Sequence, residues 1–342
     1  MKAIQLEKPQ TLRIVEIPEP ESPSPGEALV RVHRVGICGT DYAGYLGMLP
    51  MFTYPRIPGH ELGVEVLAVG SGVSHVRVGD RCVVEPYIND PGSWASRQGR
   101  PNCCENLRVL GVTMDGGLRS RFLLPARKLH PAPGLTFDQA ALVETLAVGA
   151  HAVARGGCGP GQTVVVIGAG PVGLSVMEAL RRVEARTVVL DSAPARLDFV
   201  RQRLKLAEVI QAKGDATDIQ QLEQLTSGRL AECVIDTTGN PRSVGSSLKF
   251  AGHSGRMVFV GISNQELTFP QALWHRRELS VMSSRNAVPS DFQRVIEWIS
   301  SGQLETRHWV THTAGMDEML SEFGRWLNPA AGVVRALVRV DL

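Results

Sequence analysis

The chain has 342 residues, 43% of them hydrophobic and 20% charged, which fits a soluble globular protein with room for two cores rather than one. A formal net charge of +2 gives no long-range field to recruit nucleic acid or an anionic membrane. The six cysteines are scattered without a C-x-x-C pair, which does not resemble a disulfide framework, and no uninterrupted apolar stretch reaches the ~20 residues of a membrane-spanning helix. The segment after Met1 has no apolar signal region, and a cytoplasmic protein with reduced thiols is expected.

Taken in chain order, the first part reads as β-rich. From Glu27 to Val35, Ala28, Val30 and Val32 alternate with Leu29, Arg31 and His33, the period of a half-buried strand. Gly63 to Val69 and Arg81 to Val84 are further strands, punctuated by Gly70-Ser71-Gly72 and Gly79-Asp80. Phe137 to Ala154, rich in Ala and Leu, reads as a helix containing Glu144.

From Gly161 the pattern changes to strand–helix alternation. Short apolar runs at Thr163–Ile167, Thr187–Leu190, Cys233–Asp236, Met257–Val260 and Leu279–Met282 alternate with helical stretches at Val172–Arg182, Ala195–Leu204 and Arg242–Phe250. This argues for a parallel sheet with helices on both faces. The run from Gly332 to Val340 reads as a strand that rejoins the first domain. The fold class is α/β. Residues 1–150 with 287–342 form a β-rich domain, and 151–286 form a doubly wound Rossmann domain.

The turn Gly168-Ala169-Gly170-Pro171-Val172-Gly173 follows a strand and opens a helix. Gly168 permits the tight turn, Gly170 lets backbone approach a pyrophosphate, and Gly173 lets helix and strand pack closely, with the helix N-terminus facing the phosphates. Asp191 ends the next strand, roughly 20 positions on, where a carboxylate binds both ribose hydroxyls and repels a 2′-phosphate; NAD is therefore favoured over NADP. Arg196 downstream weakens that preference, and the competing role for Asp191 is a helix cap near Pro194. Pro171, Val172, Arg196, Thr237, Val260 and Ser283 complete the cofactor-binding candidates.

Four residues carry the remaining chemistry. Cys38 lies between glycines in Gly36-Ile37-Cys38-Gly39, His60 and Glu61 follow Pro58-Gly59, and Glu144 lies in the helix. One thiol, one imidazole and two carboxylates supply a zinc site that keeps a position open for water or substrate. A lone Cys is more often a small buried hydrophobe and a lone His a satisfied polar side chain; together, ahead of a dinucleotide fold, they point to a metal.

With these motifs, and with Val84-Glu85-Pro86-Tyr87, Asn102-Cys103-Cys104-Glu105-Asn106-Leu107 and Asp115-Gly116-Gly117, the chain resembles the zinc-dependent medium-chain dehydrogenases, most closely the sorbitol dehydrogenase branch, over essentially its whole length. The resemblance implies a GroES-like catalytic domain beside the Rossmann domain, with the active site in the cleft. It implies Cys38, His60 and Glu144 as zinc ligands, with Glu61 binding the metal directly or through water. Thr40 is implied as the hydroxyl that bonds the substrate oxygen, and a homodimer or homotetramer is the implied assembly. Asp41 is read as a partner that orients His60.

Two departures from the family pattern stand out. The four positions that often hold a second, structural zinc are Asp90, Ser93, Ser96 and Cys104, a poor ligand set, so one zinc per chain is expected. Ala43 stands where many relatives have a histidine that passes the alcohol proton to solvent, so the proton must leave by water, Glu61 or another side chain.

The reaction implied is NAD-linked oxidation of a secondary alcohol on a sugar-derived polyol or aldonate. Arg285, after the last strand of the nucleotide domain, is a candidate grip for a carboxylate or several hydroxyls, and equally a partner for a surface acid or the cofactor. The apolar segment from Tyr45 to Pro55 reads as a pocket wall over the metal, or as core or interface. Trp274 and His275 are further cleft candidates. Rival readings are a threonine-type dehydrogenase, a zinc-free reductase, and a non-enzymatic relative; the intact ligand set argues against the last two.

Overall fold

The computed structural model describes residues 1–340 and divides into two compact units, Met1–Glu144 with Val288–Leu342, and Thr145–Ala287. The division falls within the helix Phe137–Arg155. No helix of the described residues is long and apolar enough to cross a membrane.

The first unit is built on a seven-stranded sheet. Its central strand, Glu27–Ile37, runs antiparallel to Glu61–Val69 on one side and to Arg335–Arg339 on the other. Ala28, Val30 and Val32 are buried, as the period-two pattern requires; a register shift beyond Val32 then buries Val35, Gly36 and Ile37 in succession. The same core takes Val64 and Val66 from the next strand, Val84, and the aromatic ring of Phe122. Helix Met316–Trp326 adds Met319, Phe323 and Trp326, whose helical spacing puts them on one face. The C-terminal strand does rejoin the first unit, with Ala336 opposite Ile37 and Val338 opposite Val35.

The second unit holds a six-stranded sheet in which every neighbouring pair is parallel. Across the sheet the strands run Val209–Gln211, Arg186–Asp191, Thr163–Ile167, Ala231–Asp236, Ala251–Phe259, Ser280–Ser283. In chain order this is 3-2-1-4-5-6, the doubly wound arrangement with its switch point beside the first strand. Thr163–Ile167 is buried at every position, which explains its unbroken β-branched run: helices cover both faces of such a strand.

The periodic strands and helices of the sequence reading have structural counterparts. Several elements were not anticipated: strands Lys2–Lys8, Thr11–Glu16, Val209–Gln211 and Val310–Gly315, and helices Ala216–Thr226, Gln271–Arg277, Pro289–Ser300 and Met316–Trp326. Two expected helices are also shorter than read. Pro194–Phe199 continues as a π-helical turn, Val200–Leu204, and Pro241–Ser247 tightens to a 3₁₀ turn, Leu248–Phe250.

A charged side chain lies in the middle of the first core. Arg335 Nη1 is 3.0 Å from Glu61 Oε1, with the two side chains 2% and 1% exposed, and it also donates to the Ile37 carbonyl at 2.9 Å. Removing one member of such a buried pair leaves the other charge uncompensated in the core. Arg335→Met is therefore expected to cost about 3–5 kcal/mol, read as a lower urea midpoint for the first unit. Adding Glu61→Gln should restore most of the loss; a midpoint unmoved by Arg335→Met would contradict a structural ion pair.

Candidate active site and cofactor turn

The antiparallel register of the first sheet assembles the metal candidates. Gly36 is paired with Glu61, so the end of one strand lies beside the start of the next. Cys38, just past Ile37, and His60, just before Glu61, are thereby neighbours. A Cβ on Gly36 would fall 2.1 Å from Glu61 Oε2, so glycine there makes room for the acid.

Cys38 caps the short helix Gly39–Tyr45. Its sulfur accepts the Thr40 N–H at 3.2 Å, and its own N–H donates to Asp41 Oδ2 at 3.0 Å. Cys38 Sγ lies 3.0 Å from His60 Nε2, and on the far side of the ring His60 Nδ1 lies 3.7 Å from Asp41 Oδ1. Neither Nδ1 nor Oδ1 makes a hydrogen bond, although both are buried. The imidazole thus stands between a thiol and a carboxylate, the arrangement in which a carboxylate orients a metal-binding histidine. Among the described residues, Cys38, Asp41 and His60 are the group of His, Cys, Asp and Glu whose donor atoms converge closely enough to hold a metal ion.

The two glutamates flank this group. Glu61 is held by Arg335, and Glu144 accepts a short hydrogen bond from the Tyr87 hydroxyl. Both Tyr87 and Glu144 are buried. Burial pushes the Glu144 carboxyl above its ordinary pKa, and nearby Glu61 adds to the rise. Burial likewise pushes the Cys38 thiol up. Burial opposes charge on His60, yet Cys38 and Asp41 outweigh it and hold its pKa well above the usual imidazole value. Three buried acids, Asp41, Glu61 and Glu144, with a thiol therefore face one arginine and one imidazole. A divalent cation fits this donor set: it balances the acids, keeps Cys38 as thiolate and leaves His60 neutral.

Tyr87 and Arg335 were not singled out as site residues. Arg335 carried a signal, since its charge falls within the largely apolar run from Gly332 to Val340. Tyr87 carried none beyond its place after Glu85-Pro86. The same stretch supplies Glu85, which is buried with Lys128 and with His130, whose Nε2 lies 3.2 Å from Glu85 Oε2.

Other candidates are placed as follows. Thr40 is half-buried in the first turn after Cys38. Phe52 packs with Leu6 and Val112, while Met48 and Met51 are exposed, so the segment from Tyr45 to Pro55 is core in part and surface in part. Asp90, Ser93, Ser96 and Cys104 converge in a hydrogen-bonded loop: Asp90 N–H donates to Cys104 Sγ at 3.3 Å, and Ser93 Oγ to Ser96 Oγ at 2.9 Å. In the second unit, Arg285 is exposed just beyond the strand Ser280–Ser283, and Trp274 and His275 are exposed on helix Gln271–Arg277.

The glycine turn of the second unit has a cradle for a dinucleotide. Gly168 has φ +99°, and a Cβ on Gly173 would strike the Gly168 carbonyl at 1.8 Å. Gly170 caps helix Pro171–Arg182 and faces open space; the Arg196 guanidinium is the nearest group, 4.0 Å from where its Cβ would be. Asp191, at the end of its strand, accepts Ala169 N–H at 2.7 Å and Ala193 N–H at 2.8 Å, with Arg196 Nη1 3.7 Å away. The carboxylate thus ties the glycine turn to the next loop. Thr237 buttresses the turn by donating to the Ile167 carbonyl at 3.0 Å. Val172 is half-buried in the first helical turn, Val260 N–H donates to the Asp236 carbonyl at 2.9 Å, and the Ser283 carbonyl accepts from Arg155 Nε at 3.3 Å.

Comparison with known proteins agrees with this geometry. Residues 24–134 match the alcohol dehydrogenase GroES-like domain, and residues 171–301 match the zinc-binding dehydrogenase family. L-galactonate-5-dehydrogenase of Escherichia coli K12 is 38% identical over 294 residues, covering 85% of this chain and 86% of that protein. The chain belongs to the zinc-type medium-chain dehydrogenases. It is a zinc- and NAD-dependent oxidoreductase of that family. Sorbitol dehydrogenase of Bacillus subtilis is 29% identical over 325 residues, 93% of this chain and 91% of that one. An alcohol dehydrogenase from Escherichia coli CFT073, solved with NADH, superposes with a TM-score of 0.89 at 30% identity, covering 99% of both chains.

Asp191 offers a direct check on the cofactor turn. Asp191→Ala removes the carboxylate proposed to bind the ribose together with its hold on Ala169, and NADH affinity should fall about 10-fold or more. Fluorescence titration of NADH reads this; an unchanged dissociation constant would remove Asp191 from the site.

Proposed function

We propose that the protein oxidises a secondary alcohol on a sugar-derived aldonate or polyol to the ketone. The observation that carries the reading is the convergence of Cys38 Sγ and His60 Nε2 at 3.0 Å, backed by Asp41 and flanked by two buried glutamates. The L-galactonate-5-dehydrogenase relative supports the aldonate class. Cys38, His60 and Glu144 would hold the zinc, and the turn from Gly168 to Gly173 with Asp191 would hold NAD. Zinc supplies a Lewis acid for the hydroxyl oxygen, and NAD supplies the hydride acceptor.

The chain's own residues then do the rest. Thr40, next to Cys38, offers a hydroxyl to accept or donate a hydrogen bond at the reacting oxygen. Asp41 places a carboxylate 3.7 Å from His60 Nδ1, a charge that favours the proton on that nitrogen. Tyr87 holds one oxygen of Glu144. Glu61, only 1% exposed and paired with Arg335, is poorly placed to deliver a proton to bulk solvent, and Ala43 has no proton to relay. Water reaching Thr40 is the exit this arrangement favours. Arg285, at the carboxyl end of its sheet, is the proposed grip for a substrate carboxylate.

The test measures NADH formation on aldonates such as L-galactonate, L-idonate and L-gulonate, each beside its polyol, with threonine as an outlier. The expected result is turnover of aldonates ahead of polyols. Arg285→Leu should lower kcat/KM on the acid about 10–100-fold, the loss of a charge-assisted contact, with little change on the polyol. Equal discrimination before and after the replacement would remove Arg285 from substrate binding. Turnover of threonine alone would overturn the sugar-derived class.

A further inference from the structure

Two cysteines outside the active site are placed to react with each other. Cys158 lies in the glycine-rich loop between helix Phe137–Arg155 and strand Thr163–Ile167, and Cys233 lies on strand Ala231–Asp236. A Cβ built on Gly156 would lie 3.1 Å from the Sγ of each, so the two sulfurs approach the same spot. Cys233 is fully buried, while Cys158 is partly open to solvent. Arg256 stands directly opposite Cys233 on the neighbouring strand, and its charge favours the Cys233 thiolate. Its Nη2 donates to Gln162 Oε1 at 2.7 Å, and that oxygen also accepts the Gly159 N–H at 3.2 Å, tying the cation to the Cys158 loop.

This cluster is remote in sequence and strand position from the cofactor turn. Cys233 pairs with Val164, near the start of the central strand, whereas Gly168 follows its far end. The other cysteines differ. Cys82 is buried with its thiol pushed up to about 12 by burial, and Cys103 is exposed.

We propose that Cys158 and Cys233 form a reversible dithiol–disulfide pair that takes two electrons' worth of oxidation from a peroxide. Cys158, the accessible sulfur, attacks one peroxide oxygen once its proton, held on by neighbouring Cys233 and by burial, is released; an S–O bond forms, the O–O bond breaks, and the departing oxygen leaves as water with that proton. Cys233, whose thiol neighbouring Cys158 and the Arg256 guanidinium pull below its ordinary pKa, then attacks the Cys158 sulfur. The S–S bond forms, the S–O bond breaks, and the second water carries away the Cys233 proton. One peroxide and two thiols yield one disulfide and two waters. Glycines at 156, 157, 159 and 161 give the loop the freedom to bring the sulfurs to bonding distance.

The test treats the whole zinc-loaded protein with hydrogen peroxide, alkylates the remaining thiols, and maps tryptic peptides by mass. A disulfide-linked pair of the peptides carrying Cys158 and Cys233 should appear, be absent before treatment, and revert with dithiothreitol. Cys158→Ser should abolish it and leave Cys233 alkylatable. Mapping of the wild-type protein decides the matter even if that variant fails to fold, with Cys82 and Cys103 as internal references. Recovery of both peptides as alkylated thiols while Cys103 is oxidised would overturn the proposal. So would a stable sulfinic acid on Cys158 with Cys233 still free.

Discussion

The structure depends on one register. Glu27–Ile37 meets Glu61–Val69 with Gly36 opposite Glu61, and meets Arg335–Arg339 with Ile37 opposite Ala336. Side-chain alternation makes a strand intolerant of a one-residue slip, because a slip would turn every buried valine outward. The apolar core therefore fixes the register, and the register fixes which residues stand at the strand ends. Cys38 and His60 meet as a consequence of packing many residues away. The Glu61–Arg335 pair serves the same end: it draws residue 335 against residue 61, and its buried charges leave other registers with an unpaired ion.

The two halves of the chemistry use different geometry to the same purpose. In the antiparallel sheet, the end of one strand and the start of the next present a thiol and an imidazole side by side. In the parallel sheet, all strands end on one edge, and that edge carries the glycine turn, Asp191 and Thr237. Each site sits where regular backbone stops, so side chains and N–H groups are free to face a ligand while the sheet behind stays rigid. Asp191 shows this: each of its two oxygens takes a backbone N–H, so one acid ties the glycine turn to the loop after its own strand.

Much of this was legible in the sequence, for identifiable reasons. The strand Thr163–Ile167 is buried on both faces, so its composition is extreme and its reading secure. Glu27–Ile37 shows clean alternation over its first half. Cys38 and His60 stood out because glycine and proline turns flank them. The elements that were not anticipated are short, or amphipathic over few turns, as in Gln271–Arg277 and Val209–Gln211, where tertiary packing supplies what local pattern lacks. Tyr87 was invisible as a partner of Glu144 because the contact joins residues far apart in the chain. The Cys158–Cys233 neighbourhood was equally hidden: two cysteines without a common motif become partners only when the parallel sheet sets one strand beside the loop of another.

The central claim is that a single zinc sits on a mixed sulfur, nitrogen and oxygen set built at these strand ends. Zinc K-edge X-ray absorption on the purified protein tests it most directly. The expected spectrum has one sulfur at about 2.3 Å and nitrogen or oxygen neighbours at about 2.0–2.2 Å, with Cys38→Ser removing the sulfur shell. A shell of several sulfurs, or a sulfur that survives Cys38→Ser, would place the metal elsewhere and contradict the account.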